Sequence, residues 1–269
     1  MINYIGVRGH RGAGKSSISY LLAITLDHII KEGVGALESY EFDKLFKYHC
    51  DKLVNEPNTP YEYSSNNVYL DSFSDSIKTH IQLMLGCPTE YLYIDFYKDN
   101  IIVNFRDFSY RQKTEENIQL VTAEEMYELV DKDQDPMPIQ KNIYMTLREF
   151  ILYFGLEVMQ RFFGRNVWVK SLRANNEWWY DMFSGHTSYK IFMDLKTPAE
   201  ATYIKQNNGI IIDVIRPDYK KGKSGLDRLG KDGRIDFIVN IKEDDLYSVK
   251  DQIINISKSI IEHGRKKEN

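Results

Sequence analysis

The sequence predicts an α/β fold, a three-layer sandwich in which a central parallel sheet is flanked by helices. Three observations predict it. The chain opens with a short apolar strand that runs through a glycine loop into a helix, the start of an α/β unit. Three later runs, KIFMDL, IIIDVI and DFIVNI, are near-continuously apolar, as strands buried on both faces must be. Helical patterns alternate with these runs, and that alternation makes a sheet parallel.

Taken in order, residues 2–7 (INYIGV) read as the first strand, leading into Gly9. From Ser16 the apolar residues of SISYLLAITLDHIIKEG recur at helical spacing and stop at Gly33. Residues 68–73 (VYLDSF) read as a second strand. Ser74 is placed to cap a helix that runs to about Leu85 and ends at Gly86. The runs YLYIDFY and IIVNF, separated by Lys98-Asp99-Asn100, read as a β-hairpin. Residues 107–140 are polar and acidic, with a helix expected at 122–130, and residues 89–140 together read as a surface insertion. The stretch 146–172 is helical with interruptions at Gly155 and Gly164. Strands follow at 190–195, 210–215 and 236–241, and a helix from 246 to 263 closes the chain.

The chain has 269 residues, 42% hydrophobic and 28% charged, which is globular arithmetic and excludes a disordered or collagen-like class. A formal net charge of −4 excludes a chain-wide basic footprint for nucleic acid. Charge is unevenly spread: residues 141–173 and 216–234 are each net +4 on an otherwise acidic chain. Such cationic segments fit small phosphorylated ligands better than a long polyanion. The two cysteines, Cys50 and Cys87, are too few for a disulfide framework or a zinc knuckle. The opening residues lack the basic-then-apolar order of a signal peptide, and no run approaches membrane-span length. A soluble cytoplasmic protein is expected, with no membrane or nucleic-acid partner.

Gly9-His10-Arg11-Gly12-Ala13-Gly14-Lys15-Ser16 fits the phosphate-loop pattern G-x-x-x-x-G-K-S/T in full. Glycines let successive backbone N–H groups approach phosphate oxygens. The following helix aims its positive end at the same anion. Lys15 reaches the β- and γ-phosphates, and Ser16 offers a hydroxyl to Mg²⁺. The expected ATP-binding set is therefore Gly9, Arg11, Gly12, Ala13, Gly14, Lys15, Ser16 and Ser17. ATP and Mg²⁺ are the implied cofactors, and the fold class sharpens to a P-loop NTPase. A glycine turn that merely joins strand to helix is the bland alternative. No N-K-x-D guanine signature is present, which argues against a signalling GTPase.

Beyond this loop the chain resembles the phage deoxynucleoside monophosphate kinases, relatives of the cellular nucleoside monophosphate kinases. Phe73-Ser74-Asp75-Ser76-Ile77-Lys78 is similar to the family's F-A-D-x-L-K segment. Arg148-Glu149-Phe150-Ile151-Leu152-Tyr153-Phe154-Gly155-Leu156-Glu157, then Arg161 and Trp168-Val169, is similar to R-x-L-L-Q-x-x-G-T-E with its downstream Arg and Trp-Val. Asp194-Leu195-Lys196-Thr197-Pro198-Ala199-Glu200, then Asn208-Gly209-Ile210, is similar to D-V-R-F-P-N-E and its G-G-x-x-I strand. Ser224, Leu226, Asp227, Asp236, Val239 and Asn240 follow the final S-x-x-L-D…D-x-x-I-x-N pattern. The resemblance spans most of the chain outside 89–140. Leu152, Leu156, Lys196 and Ala199 stand where the family has Gln, Thr, Arg and Asn, and Lys in place of Arg loses the bidentate fork.

The resemblance implies transfer of the ATP γ-phosphoryl group to the 5′-phosphate of a dNMP, giving dNDP and ADP. It implies a single kinase domain: a core at 1–35 and 186–269, a helical NMP-binding region at 36–88 and 141–185, the 89–140 insertion and a short basic lid at 216–234. Lys15, Arg148, Arg161 and Lys196 become the expected catalytic residues. Phe73, Asp75, Lys78, Arg148, Arg161, Trp168 and Glu200 become the expected acceptor-binding residues. Arg148 reads equally as a helix arginine paired with a surface acid. Arg148 and Arg161 lie about 220° apart on one straight helix and converge only if it breaks, with Gly155 the obvious place. Asp194 ends a strand where a Mg²⁺-organising acid belongs, or caps the helix starting near Pro198. Glu200 reads equally as a first-turn acid favoured by the helix dipole. Arg216 joins the expected ATP-binding residues, to stack on adenine or touch phosphates, and opens the basic 216–234 segment, which reads as a cover over ATP or as a solvated loop. Alternatives are another P-loop small-molecule kinase, resembling dephospho-coenzyme A kinase, and a non-catalytic nucleotide-binding protein. A homodimer is compatible with all three, and a phage-encoded kinase would act in the host cytoplasm.

Overall fold

The computed structural model describes residues 2–10, 12–56, 63–113, 118–126, 142–159, 163–164, 167–171, 188–217, 234–242 and 245–265. In chain order the elements are β1 (Ile2–Gly9), α1 (Lys15–Glu32), α2 (Tyr40–Asn55), β2 (Val68–Asp71), α3 (Asp75–Leu85), α4 (Thr89–Tyr93), α5 (Asp95–Asn100), β3 (Ile101–Asn104), β4 (Tyr110–Gln112), β5 (Tyr144–Thr146), α6 (Leu147–Leu152), β6 (Ser188–Phe192), α7 (Pro198–Gln206), β7 (Ile210–Ile215), β8 (Phe237–Asn240) and α8 (Lys250–Arg265). They fall into two compact units. The first comprises Met1–Pro57, Tyr61–Phe73 and Arg173–Asn269; the second comprises Ser74–Leu172 with Asn58–Pro60.

The first unit is built on a five-stranded sheet of order β2-β6-β1-β7-β8. Every neighbouring pair is parallel. Strand residues alternate between two faces, and both faces are covered. One face presents Ile5, Val7, Ile191, Ile212 and Val214 to Leu21, Leu22 and Leu26 of α1, Phe42 and Phe46 of α2 and Ile253 of α8. The other presents Tyr4, Gly6 and Phe192 to α7 and its approach. A Cβ at Gly6 would lie 3.2 Å from Leu195 and 3.4 Å from Ile204, so glycine lets that layer close in. A five-stranded parallel sheet with helices is compatible with the three-layer arrangement expected.

Local signals set the ends of these elements. α1 stops at Gly33, whose φ of 87° suits glycine and whose N–H donates to the Ile29 carbonyl at 2.8 Å. α7 begins with Pro198 behind Thr197, which forms a full capping box with Glu200. The C-terminal helix is entered through a 3₁₀ turn, Leu246–Val249.

The second unit has its own core, in which Ile77, Ile81, Leu92, Ile101, Val103, Met145, Phe150 and Trp168 pack together. Its sheet is antiparallel, of order β4-β3-β5. Two expectations change here. The 91–97 run is helical, in α4 and α5, and Lys98-Asp99-Asn100 ends α5 instead of turning a hairpin. The hairpin pairs β3 with β4. The aromatic run imitates a strand, but Leu92 is fully buried while Phe96 is exposed, and Pro88-Thr89-Glu90 supplies a helix start. Residues 101–103 are no surface decoration: each is 1% exposed or less, and Ile101 and Val103 belong to the core.

The expected start at 122 is present. Thr122 and Glu125 form a reciprocal cap, with Thr122 N–H donating to Glu125 Oε2 at 2.8 Å and Glu125 N–H to Thr122 Oγ1 at 3.1 Å. The rest of 122–130 lies outside the described residues. Ser74 precedes α3, but its side chain makes no capping hydrogen bond. The helix does not break at Gly155. It passes through that residue as a π-helix, Tyr153–Val158. A Cβ at Gly155 would lie 2.9 Å from Ile77 Cδ1, and the Gly155 carbonyl accepts the Trp168 indole N–H at 2.8 Å. Among the described residues of this stretch the left-handed one is Gly164, at φ 87°.

Candidate functional site

In the first unit, β1 ends at Gly9, and the chain reaches α1 through five residues. Gly12 and Gly14 have φ values of 78° and 87°, conformations that L side chains rarely adopt. A Cβ at Gly9 would lie 2.5 Å from the Val214 carbonyl oxygen, and one at Gly14 would lie 2.8 Å from Ile241 Cδ1. Glycine is therefore required at three of the motif positions for reasons of backbone geometry and space. The Ala13 N–H donates to the His10 carbonyl at 3.1 Å, which curls the loop. Lys15 Nζ donates to the same carbonyl at 2.8 Å, so its ammonium folds back over the loop.

α1 is 18 residues long, has no side-chain cap at Gly14 and carries no acid in its first turn. Its N-terminal N–H groups and the positive end of its dipole therefore act together, with Lys15 adding a full charge. Ser16 and Ser17 are half-buried in this first turn. Arg216, just past β7, donates from Nη1 to the Gly12 carbonyl at 3.4 Å. Backbone N–H groups, the helix end, Lys15 and Arg216 thus lie together at the carboxyl ends of parallel strands, and an arrangement of this kind can accept a small anion. Arg11 and residues 218–233 of the basic segment lie outside the described residues.

The exit of β6 adds a second polar group. Asp194 Oδ1 accepts the Phe73 N–H at 2.9 Å, which ties the ends of β2 and β6 together. Lys196 is largely exposed, with Nζ 3.6 Å from Asp194 Oδ2. Glu200 is buried, and its Oε2 accepts the N–H groups of Lys196 at 2.6 Å and Thr197 at 2.8 Å. Burial, followed by the neighbouring Asp194 carboxylate, pushes the Glu200 carboxyl up to about 7. In the described structure Glu200 holds the 194–197 turn. Phe73 is 2% exposed and stacks on Phe192 with centroids 4.6 Å apart, so its ring is core packing and not an open base platform.

In the second unit the expected acceptor residues are engaged with one another and with the core. Arg148 forks onto Asp99, Nε to Oδ1 at 2.5 Å and Nη2 to Oδ2 at 3.0 Å. Lys78 pairs with Asp75 at 3.0 Å and lies 4.1 Å from the Tyr93 ring centroid. Trp168 is 4% exposed and belongs to the core. Arg161 lies outside the described residues.

Sequence reasoning missed two cross-strand ion pairs of the first sheet. Arg8 and Asp213 form a buried fork, Nε–Oδ1 3.0 Å and Nη2–Oδ2 3.2 Å. Lys190 and Asp71 pair at 2.6 Å. The signal was present as single charges inside apolar strands, but their pairing depends on strand order. Among the described residues no helix is long and apolar enough to cross a membrane. A scan against protein-family models matches no family, and a search of curated proteins finds no match.

Proposed function

We propose that the chain is a P-loop deoxynucleoside monophosphate kinase, transferring the γ-phosphoryl group of ATP to the 5′-phosphate of a dNMP. One observation carries the donor half. A loop with glycines at φ 78° and 87° leads into the uncapped N-terminus of α1, with Lys15 folded over it at the end of a parallel strand. Phosphoryl transfer asks little covalent chemistry of a protein; it asks for alignment of two anions and neutralisation of the charge between them.

In this reaction the loop N–H groups and Lys15 hold the β- and γ-phosphates, and Arg216 covers them from the β7 side. Ser16 Oγ and the Asp194 carboxylate would hold the magnesium ion of MgATP, and hard oxygen donors of this kind fit that ion. Among the described residues no group of three or more His, Cys, Asp or Glu forms a metal cage. Mg²⁺ carried by phosphates needs none, since one or two protein ligands suffice. Bound magnesium would neutralise phosphate charge. Lys196, exposed beside Asp194, supplies a further cation, and Arg148 and Arg161 take the acceptor phosphate. A dianionic phosphate would compete with Asp99 for the Arg148 fork.

A second acceptor class is favoured by a specific observation. Phe73 and Trp168 are core residues, and Asp75 and Lys78 pair with each other, so neither expected aromatic offers an open face to a nucleobase. Another phosphorylated or hydroxyl-bearing small molecule, as in a dephospho-coenzyme A kinase, is the alternative acceptor. ADP formation should be measured with each common dNMP and with dephospho-coenzyme A, beside a Lys15→Ala control. Turnover that depends on a dNMP supports the kinase proposed; turnover only with dephospho-coenzyme A supports the alternative. ATP binding with no turnover on any acceptor overturns both.

A further inference from the structure

We propose that the buried Arg8–Asp213 ion pair sets the register of β1 against β7 and thereby places the glycine loop for its nucleotide. The nucleotide part of the inference rests on the ATP reading above. β7 is Ile210-Ile211-Ile212-Asp213-Val214-Ile215, buried along nearly all its length. In the observed register Ile5 faces Ile210, Val7 faces Ile212 and Gly9 faces Val214. A slip of two residues would set Ile5 against Ile212 and Val7 against Val214, apolar for apolar. A slip of one would exchange isoleucines between two covered faces. Hydrophobic patterning therefore discriminates weakly here.

Asp213 is the one residue of β7 that breaks the uniformity, and it lies in register with Arg8. Both side chains are nearly closed to solvent, at 8% and 13% exposure, and both guanidinium–carboxylate contacts are made. Any slip would break this fork between two buried charges. Stability alone does not account for such a pair, because well-packed apolar residues of similar size usually do as well or better; fixing a register is its best-attested use.

The register matters because the glycine loop is fitted against the ends of β7 and β8. Gly9 packs against the Val214 carbonyl, the Gly12 carbonyl accepts from Arg216, and Gly14 abuts Ile241. A one-residue slip, about 3.3 Å along the strand, would undo all three contacts.

The test is the double variant Arg8→Met/Asp213→Leu in the full chain, beside Arg8→Lys, which keeps the charge and loses the fork. Thermal unfolding, equilibrium binding of a non-hydrolysable ATP analogue, and amide hydrogen exchange over 5–16 and 210–216 are measured. The double variant should unfold at or above the wild-type midpoint, bind the analogue at least about tenfold more weakly and exchange faster over both segments. Arg8→Lys should fold and weaken binding to a lesser degree, which keeps the inference testable if the double variant does not fold. Wild-type exchange in a folded double variant, or wild-type affinity and exchange in Arg8→Lys, overturns the inference. Wild-type protein that binds no analogue overturns the ATP reading instead, and the exchange data still decide the register.

Discussion

The glycine loop of the first unit and the Arg148 helix of the second handle charge in opposite ways. The loop gathers positive potential from a helix end that no side chain caps and adds Lys15, whose ammonium lies against a loop carbonyl. In the second unit two cations are held by internal carboxylates, Arg148 forked on Asp99 and Lys78 on Asp75. The first arrangement presents backbone N–H groups and a cation together. In the function proposed, the second would exchange an internal carboxylate for a ligand's phosphate, and each such exchange would offset part of the affinity.

The largest effect should come from Lys15→Ala. It should lower the kcat/KM of ATP turnover by about 10²–10³-fold while the unfolding midpoint stays put, since one preorganised donor to a developing charge is worth that much. Comparable turnover by the variant would erase the contrast between the two units.

A matched pair of glycine substitutions comes next. Gly9→Ala forces a methyl to within 2.5 Å of a backbone oxygen. It should cost about 1–3 kcal/mol of stability and abolish measurable ATP-analogue binding. Gly155→Ala meets the tip of the Ile77 side chain at 2.9 Å, which can move. It should cost about 1 kcal/mol and leave analogue affinity unchanged. Chemical denaturation and binding isotherms on both variants check the contrast.

Arg148→Ala should raise the acceptor KM roughly tenfold with the ATP KM unchanged, the scale of one charged hydrogen-bonding group. Steady-state kinetics on the acceptor found in the panel measure it; equal effects on both substrates would show that Arg148 serves the unit's structure alone.

A pH-dependent effect on stability alone concerns Glu200, whose carboxyl is raised from 4.5 to about 7. The folded state binds this proton more readily than the unfolded state. Its contribution is therefore full below pH 4.5 and is lost as pH rises through about 7. Glu200→Gln keeps an oxygen for the Lys196 and Thr197 N–H groups. It should gain on the wild type by on the order of 1–3 kcal/mol between those limits, read from denaturation at a series of pH values.

Much of the first unit was legible because its signals are local. The strand at 210–215 and the stop at Gly33 each depend on a few neighbouring residues, whereas the helix at Pro198 is capped by Thr197 with Glu200 and not by Asp194. In the second unit local signals misled. Tyr91-Leu92-Tyr93 has strand composition yet forms a helix, because burying Leu92 decides its conformation. Gly155 promised a break and instead admits Ile77 against a continuous helix. Phe73 and Trp168 carried family-like positions, but their surroundings make them core.

By itself the sequence determined the parallel α/β architecture and the glycine loop. Apolar period, caps and φ preferences act over a few residues and need no distant partner. Only the tertiary structure decided which charges meet. Arg8 and Asp213 lie 205 positions apart, and Arg148 and Asp99 lie 49 apart. Strand order and helix packing bring such residues together, and no local property of either partner encodes the other.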